Sequence, residues 1–433
     1  MANSLQDFRS GPLDRYREKA SFDWKKMRVF LDTEDIIEYQ NKLHEELKKH
    51  PILLPETSKS LTLDEERRIS SHKIYVLRTI SLLSLPAQLD NLRKPVASLT
   101  ALFQLDPATT IKYSIASGMF PSVLQSLGTE RHADDFDKAM RLEILGAYCL
   151  TEIGHGSNAK CMQTTATYDK KTKEFILNTP NFEAAKCWAG LLGQLATHAV
   201  VYAQLITPDG VNHSLHPFLV SVRDPKTLQP YPGIIVGDMG EKIGLNGIDN
   251  GFLMFKNYRI PRTCLLNKTG DVSEDGLYVT PYRDPNKRYG ASLGALSVGR
   301  VFITSMGANY AAHALTIAIR YAGVRKQFGP ENGEEVPILE YQSHQHRLIP
   351  YLSVAYLLKI FGTYLMGAQY QFSIDMMTGN NKDLLADLGL ELHAISSASK
   401  PVSGWVVRDA VQECREACAG HGYLKGIRSE SYY

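Results

Sequence analysis

The sequence predicts an α+β protein in which a helical region, a compact antiparallel β region and a helical bundle follow one another. Three observations carry that prediction. Helical hydrophobic periodicity runs from residue 32 to about residue 140, gives way near Thr164 to short alternating or apolar runs, and returns after Arg283. The strand-like runs are separated by Gly, Pro and Asp, with no helical pattern between them, as in an antiparallel β domain. No GxGxxG stands between a strand and a helix, which disfavours a nicotinamide-binding Rossmann domain. The implied boundaries are 1–146 for the first helical domain, 147–283 for the β domain and 284–433 for the bundle.

Asp32 stands as an N-cap before DTEDIIEYQNKLHEELKKH, which Pro51 ends. Thr62 and Glu65 have capping-box spacing ahead of ISSHKIYVLRTISLLSL. PATTIKYSIASGMF and DDFDKAMRLEILGAY continue the helical style. TTATYD, a KKTK turn and EFILN predict a hairpin, and THAVVYAQLI, HPFLVSVRD and GFLMFKNYRI are further strand candidates. GEKIGLNGIDNG, residues 240–251, has too many turn residues for a regular element. SLGALSVGRVFITSMGANYAAHALTIAIRYAGV is apolar almost all round and reads as a central bundle helix. Two further helical patterns follow, with Pro401 as a break or restart.

A net charge of +2 over 433 residues, without a long basic run, gives no field for nucleic acid. Cys149, Cys161, Cys187, Cys264, Cys414 and Cys418 form no CxxC pair and lack close metal-ligand spacing. Scattered reduced thiols of an intracellular protein, and no metal, are expected. The N-terminus has no apolar h-region and hence no secretory signal. Residues 351–368 approach membrane-span length, but Lys359 lies in their middle and Pro350 and Gly367 bound them. The expectation is a buried bundle helix of a soluble protein with no membrane partner.

Four segments offer chemistry. YCLTEIGHGSN, residues 148–158, presents the Thr151 hydroxyl, two glycines around His155, and Ser157. Its backbone amides can meet carbonyls or phosphates, or the segment is only a Gly-rich domain crossover. It is not a G-x-S-x-G elbow and lacks HExxH spacing. In KCWAG, residues 186–190, Trp188 is either core or an aromatic shield for a cofactor. RKQFG, residues 325–329, follows the apolar helix, where cations also serve the helix dipole. Arg300 places a charge on a helix expected to be buried, and an anionic ligand is one candidate partner.

Seven segments then stand in one order: SGPLDRYREKASF, YCLTEIGHGSN, KCWAG, GEKIGLNGIDNGF, ASLGALSVGRV, RKQFG and ECREACAGHGY. From about Gly11 to Tyr423 the chain resembles the acyl-CoA dehydrogenase and oxidase superfamily, more closely its acyl-CoA oxidase branch of the peroxisomal, branched-chain (pristanoyl) type. The resemblance implies an FAD flavoprotein of fatty-acid β-oxidation that converts an acyl-CoA and molecular oxygen to a trans-2-enoyl-CoA and hydrogen peroxide. It implies flavin contacts at Thr151 and Gly190, an aromatic beside the flavin at Trp188, and a glycine turn near the cofactor at Gly420. Arg325 and Phe328 match residues that reach the FAD of a neighbouring subunit, which implies a homodimer; Ser157 and Arg300 match substrate-side positions. A peroxisomal location is implied too, although without a terminal Ser-Lys-Leu a cytoplasmic one stays open.

The family's catalytic base is a glutamate in a Tyr-Glu-Gly segment beyond the GHGY turn. KGIRSESYY, which follows Leu424, contains no such segment, and Glu430 is its only carboxylate. Some dehydrogenase relatives carry the base where Gly299 stands here, so no catalytic residue is assigned. The resemblance implies a bundle that is C-terminally truncated and missing the second C-terminal helical region. Two function classes therefore stay open: an acyl-CoA oxidase, or an incompetent short form that binds FAD, acyl-CoA or a full-length subunit in a heterodimer.

Overall fold

The computed structural model describes residues 5–54, 60–88, 90–292 and 295–424; residues 425–433, Glu430 among them, lie outside the described residues. Helices come first: α1 (Asp14–Arg17), α2 (Trp24–Asp32), α3 (Glu34–Lys48), α4 (Leu63–Thr79), α5 (Leu85–Gln88), α6 (Lys94–Leu105), α7 (Pro107–Ser114), α8 (Phe120–Leu127) and α9 (Ala133–Met140). Strands follow: β1 (Gly146–Cys149), β2 (Thr165–Asp169), β3 (Glu174–Asn178), β4 (Lys186–Ala189), β5 (His198–Ile206), β6 (Asn212–Ser221), β7 (Ile234–Asp238), β8 (Gly251–Phe255), β9 (Tyr258–Pro261), β10 (Asp271–Val272) and β11 (Tyr278–Val279). The chain then returns to helix in α10 (Pro285–Ser292), α11 (Ala295–Val324), α12 (Gln342–Thr378) and α13 (Lys382–Ala417). This is the expected α+β class. The residues gather into a helical unit, Met1–Ser60 with Ile80–Asp106 and Leu296–Tyr433, and a sheet unit, Leu61–Thr79 with Pro107–Ala295.

The sheet unit is organised by β5, whose interior residues Ala199–Leu205 are all buried, as a continuous apolar run in a central strand should be. One edge of β5 pairs with β6 in antiparallel fashion. The sequence reading of a wholly antiparallel domain needs correction, because β1 and β2 both run parallel to β5. The hairpin β2–β3 and the pair β3–β9 restore antiparallel order, and β4, β8 and β7 form a separate antiparallel sheet. No helical crossover was needed for the parallel pairs: between β2 and β5 the chain turns back through β3 and β4. Tyr168, Phe175 and Phe218 pack ring against ring in the core, with centroids 5.0–5.1 Å apart.

In the helical unit, Val301, Ala308, Ala311, Leu315, Ala318 and Ala322 of α11 are buried at helical spacing. α12 and α13 run straight through Pro350 and Pro401, so neither proline ends a helix. A proline removes one N–H and strains one turn, a small part of helices that are 37 and 36 residues long. The expected burial of α12 is also not met: 22% of its most apolar window is buried, and Leu357, Ile360 and Tyr364 are exposed. By length and composition alone, residues 342–376 are sufficient to cross a membrane.

The capping box forms as expected, with Glu65 N–H donating to Thr62 Oγ1 and Thr62 N–H to Glu65 Oε2. Asp32 does not cap α3. It ends α2, 5% exposed, with Lys359 Nζ at 2.7 Å and Arg28 Nη1 at 3.2 Å. Thr33, at φ 62°, takes the cap position instead. An ammonium and a guanidinium together hold a carboxylate this enclosed more strongly than one backbone N–H would. Asp32→Ala, which strands the partly buried Lys359, is expected to destabilise the helical unit by about 2–4 kcal/mol. Urea unfolding followed by helical circular dichroism measures this, and a loss below about 0.5 kcal/mol, the range of an ordinary surface change, would contradict it.

Candidate functional site

β1 and β2 lie end to end on the same edge of β5. Cys149 is level with Val201 and Thr165 with Gln204, so sixteen steps of chain span what three steps of β5 span. The excess has to leave the strand line, and it is the segment that holds Thr151, His155 and Ser157. Gln204 closes the base of this loop: its N–H donates to Thr164 O at 2.8 Å, and its Nε2 to Met162 O at 2.8 Å and Lys160 O at 3.1 Å.

Within that base Glu152 and Lys186 form an ion pair at 2.9 Å, both side chains wholly buried. Glu152 also accepts the N–H groups of Gln163 and Thr164 at 2.7 and 3.0 Å, while Lys186 Nζ donates to Leu150 O at 3.1 Å. Burial pushes the Glu152 carboxyl upward, but the Lys186 ammonium and these hydrogen bonds outweigh it and hold the group below the usual carboxylate range. Glu152 and Lys186 also make a β-bridge, and Cys187 N–H donates to Thr151 O at 3.0 Å. The extruded loop and β4 are thereby one hydrogen-bonded piece, carrying Thr151, Ser157, Trp188 and Gly190.

β4 is irregular where it matters. Its register against β8 shifts between Lys186 and Ala189, and the bulge turns Trp188 outward at φ 66° with the residue 58% exposed. The reading of Trp188 as core is therefore excluded; the indole is displayed. A non-glycine residue in this left-handed region costs roughly 1–2 kcal/mol, which its surroundings must supply. Trp188 N–H donates to Met239 Sδ at 3.3 Å, and Asn250 Nδ2 donates to Trp188 O at 2.7 Å. Beside it, a Cβ at Gly190 would come within 2.7 Å of Ile115 Cδ1, the mobile end of a side chain that would have to shift.

The remaining expected residues belong to the helical unit. Arg300 is half-buried on α11, with Nη1 3.3 Å from His393 Nδ1. Arg325 is exposed just past α11, its backbone held by Tyr321 and Ile338. Phe328, at φ 57°, and Gly329, at φ 137°, form a turn that leaves the phenyl ring 78% exposed. Gly420 is exposed in the turn Ala419–Tyr423 and has open space around it; Gly422 is the crowded glycine, where a side chain would overlap the Arg415 carbonyl. Sequence reasoning missed Gln204, Met239, Asn250 and the Glu152–Lys186 pair. The pair alone had a signal, two charges within otherwise apolar or glycine-rich segments.

Lys186→Met is expected to cost about 3–5 kcal/mol of sheet-unit stability, because it leaves Glu152 buried without its counter-charge. Adding Glu152→Gln should recover part of the loss. As pH falls the unfolded chain protonates Glu152 first, at about 4.3, so the pair's contribution is complete above that value and vanishes as pH drops through the lower folded value. Acid titration of unfolding free energy should show this loss in the parent chain and not in Glu152→Gln.

Comparison with known proteins agrees with this architecture. A profile of the acyl-CoA dehydrogenase middle domain matches residues 147–258, and one of the acyl-CoA oxidase C-alpha1 domain matches residues 293–431. Peroxisomal acyl-coenzyme A oxidase 3 of Homo sapiens is 43% identical over 420 residues, covering 97% of this chain and 60% of that protein. An acyl-coenzyme A oxidase of Caenorhabditis elegans is 40% identical over 424 residues, 97% of this chain and 62% of its own. The crystal structure of acyl-CoA oxidase 1 from Yarrowia lipolytica superposes with a TM-score of 0.87 at 29% identity, over 95% of this chain and 60% of that one. Acyl-CoA oxidase 2 of Caenorhabditis elegans, solved with FAD, ascaroside-CoA and ATP, gives 0.82 at 33% identity over 97% and 62%. The chain thus spans about 60% of the length of these relatives. With both domain profiles matched in sequence order, the chain belongs to the acyl-CoA oxidase family.

Proposed function

We propose that the chain is the flavin-binding part of a peroxisomal acyl-CoA oxidase of fatty-acid β-oxidation, acting on long or branched acyl-CoAs with oxygen as the second substrate. The observation that carries the proposal is the outward-turned Trp188 on a hydrogen-bonded bulge tied to the Thr151 loop. A rigid exposed indole, a half-buried hydroxyl and a glycine-bordered backbone suit a planar, carbonyl-bearing ring, so the residues present fit FAD. In the human and nematode relatives above, the names are those of acyl-CoA oxidases, and one nematode structure holds FAD and ascaroside-CoA.

In this reading Thr151, Trp188 and Gly190 hold the isoalloxazine end. Arg325 and Phe328 serve the cofactor of a second subunit of a homodimer, and Gly420 lies by the cofactor. Ser157 and Arg300 face the acyl-CoA; a hydroxyl and a guanidinium suit the carbonyl and anionic groups of a CoA ester. When bound, FAD supplies the two-electron acceptance that removal of a hydride from the β carbon requires. The domains are taken as 1–146, 147–283 and 284–433.

Purified protein should carry a flavin visible spectrum, and a peroxide assay with straight-chain and 2-methyl acyl-CoAs separates turnover from binding alone. Arg325→Ala should weaken FAD binding roughly 10–100-fold, the size of a lost charge-assisted hydrogen bond. Colourless protein that takes up no FAD at any concentration would refute the reading. A flavin-loaded chain without peroxide release would restrict it to binding.

A further inference from the structure

We infer that Asn250 is a positioning residue for the Trp188 indole, acting together with Met239. The inference rests on the proposed flavin-facing role of Trp188. Asn250 lies in the turn-rich 240–251 segment, immediately before β8. Three contacts close a ring: Trp188 N–H to Met239 Sδ at 3.3 Å, Met239 N–H to Asn250 O at 2.9 Å, and Asn250 Nδ2 to Trp188 O at 2.7 Å. Both backbone polar groups of Trp188 are therefore satisfied, by Met239 and Asn250. In the β4–β8 ladder Lys186 is level with Leu253 and Ala189 with Gly251, and the register shifts between them, where Trp188 stands.

A side chain can aim a peptide only if its own backbone is fixed, and here it is. Asp249, the preceding residue, is fully buried and 2.9 Å from the equally buried Lys112 Nζ. Its Oδ2 accepts the N–H groups of Gln194 and Leu195, each at 2.9 Å, and its carbonyl accepts Gly193 N–H. On the other side, Gly251 is so enclosed that a side chain there would lie 2.6 Å from Gly193 N and 2.8 Å from Gly237 O. Asn250 thus projects from a clamped backbone towards a fixed carbonyl. The target demands an N–H donor on a two-carbon arm. Aspartate has the shape without the donor, alanine lacks both, and glutamine is one carbon too long. Met239 completes the ring with an acceptor for the peptide N–H of the residue at the register shift. The strained left-handed Trp188 is consequently held in one orientation before any ligand arrives, which is how preorganisation raises affinity.

Trp188 becomes the sole tryptophan in a Trp24→Phe/Trp405→Phe background, since the chain has three. Asn250→Asp, Asn250→Ala and Met239→Leu are made there. The control is Asn246→Ala, whose side chain bonds Lys242 N–H and O in the same segment. FAD-free protein is read by Trp188 emission anisotropy and by hydrogen exchange at the Trp188 amide, and each variant is then titrated with FAD. Expected are lower anisotropy, faster exchange and FAD affinity weakened about tenfold or more in both Asn250 variants. Met239→Leu should do the same to a smaller degree, and Asn246→Ala should keep the parent anisotropy, all with parent far-ultraviolet dichroism. Unchanged anisotropy in Asn250→Asp and Met239→Leu, equal loss in Asn246→Ala, or altered anisotropy with unaltered FAD affinity would overturn the inference. If the parent chain binds no FAD, the flavin reading fails, and the anisotropy and exchange measurements still decide whether Asn250 orients Trp188. If both Asn250 variants lose the sheet dichroism, Met239→Leu decides.

Discussion

Two opposite charges taken wholly out of water can persist only in each other's company, and that condition organises the sheet unit. Glu152 lies on the loop pushed out between β1 and β2, whereas Lys186 begins β4, which belongs to a different sheet. Neither can remain ionised and buried unless the loop and the strand meet, so the pair selects one juxtaposition and makes neighbouring ones expensive. The same device recurs nearby. Lys112 of α7 is paired with Asp249, and Arg67 of α4 with Asp238, while Arg67 Nη2 also donates to Gly240 O at 2.9 Å. Apolar side chains would bury as much surface but would tolerate sliding. Buried ionic pairs with directed hydrogen bonds do not, and the segments they fix are the ones that display Trp188 and Thr151.

Local signals explain what could be read in the sequence. The hairpin β2–β3, the capping box of Thr62 and Glu65 and the long apolar α11 depend on neighbours a few residues away, and each formed where the pattern put it. Errors came where distant residues decide. Asp32 has the chemistry of a cap, but Lys359, more than three hundred residues later, claims its carboxylate. Pro401 signals a break by its own geometry, yet α13 continues through it. The GAY of LEILGAY reads as the end of a helix and is a strand because β5 offers it an edge. The apolar content of α12 promised burial, but composition names no partner.

At the candidate site, sequence motifs named the loops and could not say how they are presented. Trp188 could equally have been core; its outward turn follows from a register shift against β8, and a register is a property of two strands. Asn250 was hidden among four glycines and other turn formers of residues 240–251, because a turn-rich composition conceals which polar side chain has a long-range target. The glycine turn at residues 419–423 was visible, but which glycine is indispensable was not: crowding by Arg415 singles out Gly422.

The sheet unit is assembled from residues 61–79 and 107–295, and the helical unit from 1–60, 80–106 and 296–433. During synthesis the sheet unit can therefore close soon after residue 295 leaves the ribosome. The first helices of the other unit emerge early but wait for α11, α12 and α13. At typical elongation rates that delay is on the order of ten seconds, far longer than a helix or hairpin needs to form. In that interval α3 and α6 have each other, but Phe103 of α6 lacks Phe302 and Tyr310 of α11, against which its ring packs in the finished chain. The nascent protein is thus a folded sheet unit with an incomplete helical unit, a species that calls for chaperone cover and whose last step closes a loop between residues some three hundred positions apart.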